Sequence, residues 1–406
     1  MATNTLLVTQ KLVDQVVDAM GTNFSEELNF GKTINHYYED EFGIRGAQIG
    51  QSIRMRKPIR VTTANGKVST PQDYTQIEET FSIATQKNAS FEFGSAQYGY
   101  SLGEIEKHVS GPTAYQLAID TEADLISAAL PFVGATIVAG SGMTQKDVFN
   151  AGSLMTTQSA PKQRYLLGNP FDIGFFKDTV KAQFNPVEAT SRVNMDSAIG
   201  RWGGYDWTES NAMPTITVGS DVAGTVAAAV TVQGSTALSV AGFAANQVIA
   251  AGQTFTIVGV NNVYRSTRQS TGRLFQFVST TTVTLDGAGA GILTVRPMYS
   301  TGGYKNMTAL PSNGAVINLS GSAGVTYRQT LLFTENSFTM ATLDLPSFTG
   351  RGAMTSSTTI DGYRLRVNMG SDVLQDDLIN RVDILFGLAP MYEYQATKIW
   401  VPESVF

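Results

Sequence analysis

The stretch from residue 215 to 319 limits the possible folds most. It is rich in Thr, Val, Ala and Gly, carries acids only at Asp221 and Asp286, and shows no helical period. Short β-prone runs recur through it at 225–232, 254–260, 273–279, 282–285 and 291–296, separated by turn signals such as Asp286–Gly287 and Gly302–Gly303. Several short strands with turns between them predict a small barrel or sandwich. Mixed character resumes after Ser320, so the segment reads as an all-β domain inserted into an α+β chain.

Upstream, Leu6, Leu7, Leu12, Val13, Val16, Val17 and Met20 recur at helical spacing, with Gly21 placed as a C-cap. Phe24, Leu28, Phe30, Tyr37 and Tyr38 follow along an extended segment. That segment either docks on its own core or packs on another subunit. From Ile53, the positions Ile53, Met55, Ile59 and Val61 alternate with Arg54, Arg56 and Arg60, which predicts a strand with one apolar and one basic face. A polar stretch, 62–73, contains the Asn65–Gly66 turn signal and leads to a returning strand with Ile77, Phe81, Ile83, Phe91 and Phe93. A two-stranded hairpin of this length is marginal alone and must lie on its own domain or on a neighbour.

Residues 110–134 predict the longest helix, with Ser110 as cap, Pro112 in the first turn and Pro131 as the stop. Its expected apolar stripe is Tyr115, Ala118, Ile119, Ala123, Ile126, Leu130 and Val133, with Asp120, Glu122 and Asp124 on or near the opposite side. A second helix is expected over 143–154, a buried strand over 164–167, and a turn or helix start at Asn169–Pro170. A short helix is expected around 371–378, then strands over 382–386 and 398–401. Trp202, Tyr205 and Trp207 suggest interdomain packing more simply than sugar stacking.

Charged residues make up 15% of the 406, against a typical share of about 25%. So little charge suits a protein whose surface is largely covered by neighbours, because interface cores are depleted of charge. The net charge of −6 supplies no Lys/Arg surplus for a general grip on nucleic acid. With no cysteine, disulfides, thiolate metal sites and cysteine nucleophiles are excluded. No signal peptide and no apolar run of membrane-spanning length is visible, so synthesis in a cytoplasm is expected.

A search for chemistry finds little. The two histidines, His36 and His108, have no neighbour at metal-ligand spacing. No phosphate-binding loop, dinucleotide fingerprint or nucleophile elbow occurs. Glu78–Glu79 are adjacent on a strand and point to opposite faces, and Asp120 and Asp124 lie on a solvent-side or interface face of a helix. Neither pair is placed like a catalytic dyad. Asp361 and Asp376–Asp377 lack the spacing of a calcium loop. No catalytic, cofactor or metal site is expected, and the chain does not read as an enzyme.

The order of arm, long hairpin, long helix, mixed body, inserted β segment and return to the body resembles the tailed-phage major capsid fold of the Hong Kong 97 type. The insertion makes it most similar to the coat protein family of phage P-22, which the stretches YLLGNPFDIGFF (165–176), GGYDWTESNAMP (203–214) and GQTFTIVGV (252–260) also resemble, although no short motif is diagnostic. The resemblance implies an N-terminal arm over 1–42, an E-loop hairpin over 43–103, and a spine helix with the first part of a peripheral and axial body over 104–214. An inserted β domain over 215–319 and the second part of the body over 320–406 would follow.

What the resemblance implies is function by assembly into pentamers and hexamers of an icosahedral shell around packaged double-stranded DNA. A separate scaffolding protein and a portal protein would be partners, the host cytoplasm the place of assembly, the virion the destination, and no membrane would be involved. Arg54, Arg56 and Arg60 then become candidates for pairing with a neighbour's acids, with Asp120 and Asp124 of the spine helix as candidate mates. Some relatives crosslink through Lys–Asn bonds. Lys57, Lys67 and Lys87 are available, but a non-covalent shell is expected. The alternatives are an encapsulin-like compartment shell, another phage β-rich part such as a tail-tube or decoration protein, and a secreted β-rich hydrolase.

Overall fold

The computed structural model describes residues 28–36, 52–58, 67, 78–94, 111–180, 200–302, 304–348, 353–360, 362–372 and 377–403. The amphipathic stretch at 5–21, most of the 62–73 turn region, and Arg60 lie outside them. The described residues pack as two compact units. Those of Met1–Met55, Thr80–Leu125 and Thr339–Ala389 form one; those of Arg56–Glu79, Ile126–Phe338 and Pro390–Phe406 form the other.

The second unit contains a mixed sheet and a barrel. In the sheet, Thr397–Pro402 lies between Ala135–Val138, which runs parallel to it, and Thr326–Phe333, which runs antiparallel. Arg164–Gly168, Tyr205–Glu209 and Arg201–Trp202 continue the sheet beyond Thr326–Phe333. A central strand covered on both faces buries every residue rather than alternate ones, and its polar members, here Thr397 and Lys398, are buried with the apolar ones. Thr397 to Val401 are accordingly all buried. Helices Gln145–Thr157 and Pro170–Val180 pack on this sheet through Val148, Met155, Ile173 and Phe176. The first of these starts at a capping box, with Asp147 N–H donating to the Thr144 hydroxyl and Asp147 accepting from Thr144 N–H.

The barrel is closed, with the strands ordered Ala237–Ala241, Gly291–Arg296, Ser270–Ser279, Thr254–Val263, Val316–Leu319 and Ala223–Val226. All pairings are antiparallel. Closure removes the exposed edges that short strands would otherwise present. Inward residues alternate with outward ones, as in Gly291–Arg296, where Leu293 and Val295 are buried while Ile292 and Thr294 are exposed. Phe277 stands in the middle of the core, with ring centroids 5.7 Å from Phe255, 4.8 Å from Phe275 and 5.5 Å from Tyr299. The expected strand at 282–285 is reduced to Val283–Thr284, which pairs with Val248–Ile249 outside the barrel.

The first unit is built on a five-stranded sheet. Asp377–Pro390 pairs with Tyr363–Asp372 on one side and with Thr85–Gly94 on the other, Thr85 opposite Phe386 and Gly94 opposite Asp377. Two expectations are corrected here. The returning strand of the hairpin is two strands: Glu78–Ser82 pairs with Ser52–Arg56, the chain breaks at Ile83 and Ala84, and Thr85–Gly94 joins the larger sheet. The short helix expected at 371–378 is absent from its described residues, because Ser371 and Asp372 pair with Leu378 and Asp377 in a strand ladder.

The long helix runs over Gly111–Ala129, and the chain tightens into a 3-10 turn, Leu130–Phe132, at Pro131. Pro131 lacks the N–H that a further α-turn would use. Its buried stripe is Ala114, Leu117, Ala118, Thr121, Glu122, Leu125, Ile126 and Ala129, rotated by about one residue from the expected one. Tyr115 is exposed and Glu122 is buried, the reverse of their expected sides. The Trp202, Tyr205 and Trp207 group is also corrected, since it packs within one unit, on Phe176, rather than between domains. Replacing Phe277 by Ala removes the centre of the barrel core and should cost about 3–5 kcal/mol. Urea denaturation of the purified chain measures this, and an unchanged midpoint would show that the barrel core is not formed as described.

Candidate functional site

Among the described residues, the densest arrangement of charge lies in the second unit, around Lys57 and Glu79. The Arg296 guanidinium, from the last residue of a barrel strand, donates to both oxygens of Glu79, at 2.8 and 2.6 Å. Lys57 Nζ lies 3.5 Å from Glu79 Oε2 and donates to Glu393 Oε2 at 2.9 Å. These four side chains are between 7% and 17% exposed, so they are well withdrawn from water. Two carboxylates and two cations balance, which is the condition for holding such charges out of water. The paired Arg–carboxylate fork also fixes orientation. Chemically the cluster is a clamp. Every carboxylate is engaged by a cation, and no histidine or hydroxyl nucleophile takes part.

Adjacent residues of Glu78–Glu79 point to opposite faces, as expected of a strand, and the consequence is a division of labour. Glu79 enters the clamp, while Glu78 faces outward 3.7 Å from Arg56. Arg56 is 68% exposed, so this pair contributes little. Arg54 is likewise exposed, which keeps the basic face outward, while Met55 is buried behind it. Asp124 pairs with Lys87 at 2.9 Å within the same chain, and Lys87 also donates to the Asp120 carbonyl. The Asp120 carboxylate accepts from Gln116. The described candidates therefore fall in separate places: Arg54 and Arg56 on the first strand, and Asp120 and Asp124 on the helix around Lys87.

Several buried charges escaped the sequence reading, among them the pairs Asp172 with Arg328 and Asp383 with Arg366, and the residues Glu122 and Lys398. Glu122, at 2% exposed, accepts from the backbone N–H of Phe30 at 2.7 Å and of Gly31 at 3.3 Å, capping the short helix Phe30–Thr33. Burial pushes its carboxyl up to about 6 against the lowering effect of those N–H groups. A Cβ on Gly31 would fall 1.3 Å from the Tyr363 hydroxyl, so any side chain there requires the buried Tyr363 to shift. The signal was present in the sequence: Glu122 occupies the same row as Ala114, Ala118 and Ile126. Lys398 is fully buried in the mixed sheet and donates to the Gly252 carbonyl at 2.6 Å and the Leu130 carbonyl at 3.4 Å. It thereby joins sheet, barrel and the end of the long helix. Burial pushes Lys398 down to about 7.

Among the described residues, no group of three or more His, Cys, Asp or Glu is placed to hold a metal ion. No helix among them is long and apolar enough to cross a membrane, which says nothing about spanning by strands.

No family model matches the chain, and no curated protein does. Solved structures with an overall likeness exist. One from Mycobacterium phage Che8 has a TM-score of 0.46 at 10% identity, covering 90% of this chain and 88% of that one. The capsid of cyanophage P-SCSP1u has a TM-score of 0.46 at 11% identity, covering 91% and 86%. The encapsulin complex of Synechococcus elongatus has a TM-score of 0.38 at 11% identity, covering 80% and 76%. Both phage and encapsulin structures stand among these neighbours, at identities that carry over no residue roles.

Lys398 supplies a pH test. Its proton is held less tightly folded, at about 7, than unfolded, at about 10.5. Stability should therefore rise as pH increases from about 7 toward about 10.5, by up to about 1.4 kcal/mol per pH unit. The Lys398→Met variant should lack this rise when both are unfolded in urea across the range. Parallel curves for the two proteins would contradict the buried, proton-poor lysine.

Proposed function

We propose that the chain is a major capsid protein of a tailed bacteriophage, with the fold of the Hong Kong 97 type and the insertion of the P-22-like coat proteins. In this reading copies close into pentamers and hexamers of an icosahedral shell enclosing double-stranded DNA. Assembly proceeds in the host cytoplasm with a scaffolding protein, and a portal protein takes one vertex. The observation that carries the reading is the closed antiparallel barrel within 223–319, entered from and returning to adjoining strands of one mixed sheet. Thr215–Thr217 before the barrel and Thr326–Phe333 after it pair directly, so the barrel is an excursion from a continuous body. That is the architecture the resemblance in sequence implies.

The low charge and the clamp at the roots of the 57–79 segment support the same reading. A segment whose two ends are fixed on its own subunit is in part pre-organised for contact with a neighbour. The function is structural, with no catalytic step. An encapsulin-like compartment shell is the second reading. The barrel excursion favours the phage coat protein, and the contents of the particle, DNA or cargo enzyme, separate the two.

Expressed with its scaffolding partner, the protein should form closed shells visible by electron microscopy, and monomers alone under varied conditions would overturn the proposal. Charge reversal at Arg54, Arg56 and Arg60 together should abolish shell formation while circular dichroism stays unchanged. Normal assembly of that variant would remove the arginine row from the interface.

A further inference from the structure

The second unit encloses a cavity of about 470 Å³ beside the clamp. Its walls are mostly apolar, with Phe132, Ile137, Leu154, Phe275, Met298 and Tyr392 contributing. This size and lining match the sites in which proteins hold small molecules. Two guanidiniums, of Arg265 and Arg273, also line it. Arg265 is stacked on the Tyr394 ring, 3.5 Å from its centroid, and neither guanidinium forms an ion pair with a described carboxylate. The carboxylate in the wall, Glu393, is already held by Lys57.

Arg265 is half-buried and Arg273 is exposed at the rim, and among the described residues neither is matched by an anion beside this mostly apolar space. A half-buried charge gains most from an opposite charge. Burial pushes the Arg265 guanidinium below its ordinary value, an effect that the nearby Tyr394 and Glu393 do not offset. We propose that this cavity is a binding site for a small amphipathic anion, with a flat or branched apolar body among Phe132, Leu154, Phe275 and Met298 and a carboxylate or sulfonate head against Arg265 and Arg273. The cavity joins the barrel, the helix Gln145–Thr157 and the 392–394 segment, so an occupant would brace elements distant in sequence. The inference concerns the folded subunit and stands whether or not that subunit builds a shell.

The test uses two probes on the purified full-length protein, the anionic dye anilinonaphthalene sulfonate and the uncharged dye N-phenylnaphthylamine. The anionic dye should bind saturably at about one site per chain. In the variant Arg265→Gln with Arg273→Gln, its dissociation constant should rise by roughly tenfold or more, while that of the neutral dye changes little. Because loss of the Arg265 stack on Tyr394 can loosen the fold, Leu154→Trp provides a second arm. It fills the space from the helix side and should abolish binding of both dyes with the guanidiniums intact. Absence of saturable binding by the folded protein would overturn the proposal. So would binding that is equal for the two dyes and unaffected by either variant.

Discussion

Glu79 carries two cations on one nearly dry carboxylate, and much of the second unit is organised by that arrangement. Arg296 approaches from the end of a barrel strand, Lys57 from the residue just after the strand Ser52–Arg56, and Glu393 completes the charge balance from the C-terminal side. A buried ion pair is a weak source of net stability, since desolvation offsets most of the attraction. Removing one member is costly, because it leaves an unmatched charge out of water. The clamp therefore acts mainly on geometry. It allows one relation among barrel, loop roots and C-terminal segment, and it penalises others.

Lys398 works in the same way by a different route. Its amine donates to the Gly252 carbonyl and to the Leu130 carbonyl, which also accepts from the Val133 N–H. Gln276 adds a third polar tie, donating to the Thr136 carbonyl and accepting from Thr136 N–H. Lys398 and Gln276 each span two elements by bonding backbone groups of another element. The barrel has its own core of Phe255, Phe277, Leu293 and Ile317, and these polar ties attach it to the sheet. A structural role in an assembly fits this division: a self-contained module held at a set angle by a few directional contacts.

Much of this was legible in the sequence where local pattern and tertiary outcome agree. The strand at 291–296 stands where alternation placed it, and strands over 254–260 and 273–279 were found and only lengthened. Ala237–Ala241 and Val316–Leu319 were missed because short runs with small or polar residues become strands only when barrel closure pairs them. The stretch 371–378 shows the converse. A short helix was expected there, yet its described residues pair in a strand ladder. The phase of the long helix was misread because Glu122 was assigned to water by its charge, although backbone N–H groups make an inward position tenable. The clamp was out of reach of any spacing rule, with Lys57 and Glu393 separated by 336 positions.

The central physical claim is that the loop roots and the barrel are energetically coupled through Glu79 and Arg296. A double-mutant cycle with Glu79→Gln, Arg296→Met and the double variant, followed by urea denaturation, measures that coupling directly. Each single variant should destabilise more than the double variant would suggest, giving an interaction energy of about 1 kcal/mol or more. Effects that add to within about 0.3–0.5 kcal/mol would mean that the two residues act independently, and the clamp would not be what holds these elements in register.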